Sequence, residues 1–204
     1  MPATERTAET TDEQIEAYTV GTPRRLDTTV TLHDYDPRWP ECFARQAALI
    51  HAALGADVLR VEHVGSTSVP GLAAKPIIDI ALVVPDSSDE PAYVPALERA
   101  GFRLNIWEPD WHEHRVLVKR RDDGDDESVN LHVYTDGCTQ SLRDIRFRDW
   151  LRTHDNDRDL YERTKRELAA RVWKYMQNYA DAKTAVIDDI RTRCGEPPGT
   201  CARF

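Results

Sequence analysis

The chain predicts a mixed β-sheet covered by helices, an α/β or α+β fold, and three observations lead there. Two apolar runs, Val58–Val64 and Ile77–Val84, flank a turn rich in Gly, Ser and Pro. Two segments of alternating polarity, His114–Arg121 and Val129–Tyr134, flank the acidic loop Asp122-Asp-Gly-Asp-Asp and read as a hairpin. Helical spacing fills the stretches before, between and after them. The order helix, two strands, helix, hairpin, then helices suits a sheet with helical layers.

Residues 1–26 are polar, rich in Thr and Glu, and carry no sustained period, so they read as a flexible arm. Asp34-Tyr-Asp-Pro-Arg-Trp-Pro then supplies a cap and prolines ahead of a helix over Glu41–Leu54. Phe43, Ala47, Ile50 and Leu54 share one face of it, and Gly55 stands where it should stop. Ser87-Ser-Asp-Glu-Pro opens a second helix with a capping box between Ser87 and Glu90, closed by Gly101. From Ser141 onward the pattern is helical, with breaks near Thr153–Asp157 and Asn178–Asp181. Pro197-Pro198-Gly199 marks a loose tail. The expected organisation is an arm (1–26), one domain (27–193) and a tail (194–204).

With 204 residues, 40% of them hydrophobic, the chain can bury one core. A net charge of −9 argues against general nucleic-acid binding, which needs a basic surface. It still allows a small anionic ligand in a local basic pocket. No apolar stretch approaches the length of a membrane span, and the amino terminus lacks the apolar centre of a signal peptide, so a soluble cytoplasmic protein is expected. Cys42, Cys138, Cys194 and Cys201 are scattered, without the close pairs of a zinc site.

The turn between the first two strands carries the densest chemistry. Gly65, Ser66, Thr67 and Ser68 offer backbone N–H groups and hydroxyls, which suit phosphate. Asp79 lies inside the next apolar run, where a carboxylate suits the metal that accompanies phosphate. A plain Pro/Gly turn with Asp79 at a strand edge fits the spacing equally well. Lys75 stands between turn and strand beside the stiffening Pro76. On the last strand, alternation puts Asn130, His132 and Tyr134 on one face, making His132 a candidate ligand or general base. His63 has a parallel, weaker case. Arg115, on the hairpin strand with Leu117 and Lys119, and Arg146, four residues before Trp150, are candidates for a basic wall. Tyr161 and Lys165 are one helical turn apart, as are Tyr179 and Lys183, and each pair can offer a hydroxyl and an ammonium to one anion. Taken singly, each of these reads better as part of a solvated face, mostly helical; taken together, they favour a basic pocket inside an acidic protein.

The stretch His63-Val-Gly-Ser-Thr-Ser-Val-Pro-Gly-Leu-Ala-Ala-Lys-Pro-Ile-Ile-Asp-Ile resembles the signature of the GrpB family. Asn130-Leu-His-Val, Phe147-Arg-Asp-Trp-Leu-Arg and Tyr161-Glu-Arg-Thr-Lys-Arg-Glu-Leu-Ala match it in order, over about residues 28–192. That family is similar to the polymerase-β-type nucleotidyltransferase superfamily, and some members occur as the second domain of dephospho-coenzyme A kinases. The resemblance implies a nucleotidyltransferase-like mixed sheet, flanked by helices, with a helical C-terminal region. It implies phosphate at Gly65, Ser66, Thr67 and Ser68, and catalysis by Asp79, His132 and Lys75. A divalent metal, Mg²⁺ or a transition metal, would be held by Asp79, His132 and His63. ATP or another nucleoside triphosphate is the implied substrate, with transfer to, or activation of, a small acceptor. Ala81 departs from the pattern, because a second carboxylate belongs there on the same strand face. The alternatives are a nucleotide- or coenzyme-binding module that lost its chemistry, or a repurposed enzyme forming C–N bonds.

Overall fold

The computed structural model describes residues 10–124 and 126–196. In chain order the elements are α1 (Asp12–Tyr18), α2 (Trp39–Leu54), β1 (Arg60–Val64), β2 (Ile77–Val84), α3 (Glu90–Arg99), β3 (Arg103–Glu108), β4 (His114–Lys119) and β5 (Ser128–Thr135). Four helices follow: α4 (Thr139–Thr153), α5 (Asp155–Ala169), α6 (Met176–Asp181) and α7 (Thr184–Arg193). The strands form one mixed sheet in the order β1-β2-β5-β4-β3. Only β2 and β5 run parallel; the other neighbours are antiparallel.

Period two divides the sheet into two chemically different faces. Ile78, Ile80, Leu82, Val84, Leu117, Val129, Leu131 and Val133 point one way and meet Ile50 and Leu54 of α2 and Tyr93 and Leu97 of α3. This is the main core. The register pairs Asp79 with Asn130 and Ala81 with His132, so these four share the opposite face. The C-terminal helices cover that face, where Phe147, Leu151, Tyr161, Ile187 and Ile190 pack on Val69 and Leu72. The sheet is therefore buried on both sides, and polar groups on its second face lie under helices rather than in solvent.

Several elements differ from expectation. The described part of the predicted flexible arm contains α1, capped by a reciprocal Thr11–Gln14 box and anchored by buried Ile15. Backbone bonds from Val20 to Asn105 (2.9 Å) and from Leu26 to Lys174 (2.8 Å) tie it down. Two helical turns are too short to display a period, and the partners are distant in sequence. Residues 1–9 and 197–204 lie outside the described residues. The edge strand β3 is new; a register shift between Leu104 and Ile106 spoils its alternation. The Ser87–Glu90 box does not form. Ser87 Oγ donates to the Glu113 carbonyl (2.8 Å), while Glu90 receives Arg115 and Trp107. The first C-terminal break falls at His154 and the second at residues 182–183, directly after Asp181; a further break spans residues 170–175, ahead of α6. Asn178 belongs to α6, where its side chain accepts from the Tyr175 N–H at 2.9 Å.

Candidate functional site

β1 delivers the chain into a single 3₁₀ turn, Ser66–Ser68, whose preceding Gly65 has φ +67° and ψ −173°. A side chain there is strained, and a Cβ would lie 2.4 Å from Asp79 Oδ2. Gly65 thus lets the turn close down on the Asp79 carboxylate. Asn130 Nδ2 donates to Asp79 Oδ1 (2.7 Å), and Arg120 donates to Asn130 Oδ1 (2.7 Å), so the carboxylate is held from the neighbouring strand.

A cavity opens over this turn. Gly65, Ser66, Thr67, Lys75, Asp79, Asn130, Arg148, Tyr161, Lys165, Tyr179 and Lys183 line it, with Leu32, Val69, Phe147 and Leu151 on an apolar side. Lys75 and Lys183 lie over the Tyr179 ring, 5.8 and 5.2 Å from its centroid. Lys165 lies over Tyr161 at 4.8 Å and donates to the Ala73 carbonyl. Burial, reinforced by the neighbouring Lys183, lowers the Lys75 pKa to about 8. Burial lowers Lys183 to about 8 and carries Lys165 well below the usual ammonium range. Tyr161, hydrogen-bonded to Ser66, is pushed up to about 12 by burial. Arg148 is already engaged by Glu62 (2.8 Å), Asp149 and the His63 carbonyl. The result is one carboxylate facing three lysines.

Not every sequence candidate turns its side chain to the cavity. Thr67 Oγ donates to the Ile77 carbonyl and meets His63 Nε2 at 3.0 Å, and Ser68 Oγ donates to the Gly65 carbonyl at 2.6 Å. Their hydroxyls build the turn instead of presenting to a ligand. His63 and Arg115 fall on the opposite sheet face from Asp79: the register sets His63 against Ile80 and Arg115 against Val133. His63 stacks on Phe43 of α2, and Arg115 binds Glu90. Arg146 is exposed. The inward side of α4 runs through Asp144, Phe147, Arg148 and Leu151, whereas Trp150 stacks on His154 and donates to Asp157. Arg148 therefore lines the cavity in place of Arg146, and Asn130 joins it. The β2–β5 register carries the signal for Asn130, and the Phe147/Leu151 stripe carries it for Arg148.

The donors do not fit the expected metal. His132 Nε2 lies 4.0 Å from Asp79 Oδ1, its Nδ1 is taken by His114, and His63 is on the far face. No group of three or more His, Cys, Asp or Glu suited to an ion occurs among the described residues. One carboxylate among lysine ammoniums is a poor host for a hard dication, which needs several anionic oxygens.

The sequence profile described as "GrpB protein" matches residues 29–193. The chain belongs to the GrpB family. This membership is consistent with a nucleotidyltransferase-type fold. A UPF0157 protein of Halalkalibacterium halodurans is 52% identical to this GrpB-family chain over 183 residues, 90% of this chain and 91% of that one. Another, from Streptomyces coelicolor, is 46% identical over 176 residues, 86% and 89% of the two chains. The crystal structure of GrpB from Enterococcus faecalis matches with a TM-score of 0.64 at 29% identity, over 79% of this chain and 99% of that one. A dephospho-CoA kinase of Mycolicibacterium paratuberculosis is 30% identical over 201 residues, 87% of this chain but 49% of the kinase. Among the described residues, no helix of the GrpB-family chain is long and apolar enough to cross a membrane.

Proposed function

We propose that this GrpB-family protein binds the phosphate-bearing end of a nucleotide- or coenzyme-like small molecule, with lysine ammoniums in the place of a metal ion. The convergence of Lys75, Lys165 and Lys183 on the cavity that contains Asp79 carries this reading. Preorganised cations in a water-poor site stabilise phosphoryl oxygens strongly; Lys75 and Lys183, with pKa values of about 8, carry that charge at pH 7 before the ligand arrives, and Lys165 adds an N–H donor. The apolar wall of Leu32, Val69, Phe147 and Leu151 suits the non-phosphate body of such a ligand. Transfer of a nucleotidyl group to a small acceptor is the reaction this arrangement serves: the lysines neutralise charge growing on the phosphate, and Asp79 faces the acceptor. Ala81, which removes the second carboxylate of the superfamily pattern, favours a second reading, a binding module without turnover.

Calorimetric titration with ATP, coenzyme A and pyrophosphate, in EDTA and in Mg²⁺, tests the proposal. Binding of at least one probe is expected to persist in EDTA. Binding only with Mg²⁺, or none with any probe, would overturn it. Release of pyrophosphate from ATP in the presence of candidate acceptors then separates enzyme from module.

The pH dependence is a further expected result. Lys75 and Lys183 both titrate near pH 8, and only their protonated forms attract an anion. Pyrophosphate affinity should therefore fall by roughly 10-fold or more between pH 7 and 9. Ordinary surface lysines hold their charge to about pH 10, so a flat profile over this range would show that these two do not meet the ligand.

A further inference from the structure

Behind the cavity wall, four side chains form a line across the sheet. His114 Nδ1 lies 2.8 Å from Glu108 Oε2, His114 Nε2 lies 3.1 Å from His132 Nδ1, and His132 Nε2 lies 4.0 Å from Asp79 Oδ1. The register builds this line. Glu108 pairs with His114 across β3 and β4, and His132 on β5 pairs with Ala81 on β2, two residues beyond Asp79. Glu108, His114 and His132 are buried, 4, 2 and 7% exposed, so the line is shielded from solvent. The two imidazoles stack nearly parallel (5.3 Å, 12°), and Trp111 and Tyr134 pack on His114.

The hydrogen-bond order follows from the partners. With Glu108 ionised, its carboxylate at His114 Nδ1 requires the proton there, so a neutral ring carries its lone pair on Nε2. That lone pair must receive the Nδ1–H of His132, which leaves the lone pair of His132 on Nε2, toward Asp79. Burial keeps both rings neutral near pH 7, lowering His114 to about 3 and His132 to about 4. The other charged groups acting on the line are His112 and Arg115 beside His114, and Arg120 beside His132. Asp79 already has a donor in Asn130, so it does not depend on His132 for one.

We propose that Glu108 and His114 are positioning residues that lock His132 in its Nδ1–H form, making Asp79 and His132 Nε2 a proton-accepting pair at the cavity wall. The pair's role rests on the function proposed above; the proton order rests on the hydrogen-bond geometry with Glu108 ionised and both rings neutral. In the transfer step the acceptor's O–H or N–H bond breaks as its electron pair forms a bond to phosphorus. The bond from phosphorus to the leaving pyrophosphate breaks and its electrons leave with it. The released proton goes to Asp79, and His132 Nε2, 4.0 Å away, takes it up once the two side chains close to hydrogen-bond distance. Glu108 offsets the imidazolium charge through His114.

Two-bond proton–nitrogen correlation spectra of the nitrogen-labelled full chain at pH 7 read this order without any ligand. His114 and His132 are both expected to be protonated at Nδ1, with a pyridine-type Nε2. In Glu108→Gln, His114 should lose its single tautomer, because the carboxamide can donate as well as accept. In His114→Phe, His132 should move toward the Nε2–H form that free imidazole side chains favour. Thermal unfolding checks that both variants fold, and if His114→Phe does not, Glu108→Gln alone decides. A native His132 protonated at Nε2, or His114 and His132 tautomers untouched in folded variants, would overturn the proposal. Pyrophosphate titration of the native protein fails or succeeds independently of these spectra, so the two proposals can be lost separately.

Discussion

Lys75→Met is expected to stabilise the ligand-free protein by about 1–3 kcal/mol at pH 7 while weakening pyrophosphate binding at least about 10-fold. The two effects share one cause. Burial and the neighbouring Lys183 hold the folded-state pKa of Lys75 at about 8, below the ordinary lysine value of 10.5. Folding therefore works against the ammonium. Because the folded value is depressed, the unfolded chain binds more protons between pH 8 and 10.5, and stability rises with pH across that window. The penalty is fully present below pH 8, where Met, with similar bulk and no charge, removes it. Methionine keeps an apolar contact with the Tyr179 ring, so packing loss stays small. Urea unfolding at pH 7 and pH 10 measures this. The gain should be large at pH 7 and shrink at pH 10. A lower midpoint in the variant at pH 7 would make Lys75 a structural residue.

Gly65→Ala should be strongly destabilising, costing about 2–4 kcal/mol. Its backbone, at φ +67° and ψ −173°, is territory that only glycine occupies without strain. The added Cβ would also lie 2.4 Å from Asp79 Oδ2 and 2.8 Å from Asp79 Cβ. Denaturant unfolding of Gly65→Ala, Asp79→Ala and the double variant separates the two contributions. The clash with the carboxylate should appear as a coupling of about 1 kcal/mol or more, because Asp79→Ala clears the nearest atom. Additive effects would instead leave backbone strain and the contact with Asp79 Cβ, which alanine keeps, as the whole cost.

Much of this was legible in the sequence because it depends on short-range periodicity. Alternation in Ile77–Val84 and Val129–Tyr134 fixes which side chains share a face, and the Gly-Ser turn marks the junction. Lys75, Asp79, Tyr161, Lys165, Tyr179 and Lys183 meet in one cavity. The misplacements arise where face or partner depends on tertiary packing. His63 and Arg115 alternate correctly along their own strands, but nothing local says which sheet face holds Asp79. Arg146 was judged by its spacing from Trp150, yet Phe147 and Leu151 set the buried stripe of α4, so Arg148 points inward. α1 and β3 escape because one is two turns long and the other is bulged. Glu108 and His114 join the site region only through pairing of β3, β4 and β5, which no single segment encodes.

The position of Tyr179 and Lys183 near the end of the chain has a temporal consequence. About half of the cavity lining comes from the segment Gly65–Asp79, synthesised early, and the rest mainly from β5, α4, α5, α6 and Lys183, synthesised later. Contacts of such long sequence separation form late in folding. A chain emerging from the ribosome therefore carries an incomplete cavity until the segment that holds Tyr179 and Lys183 has been released.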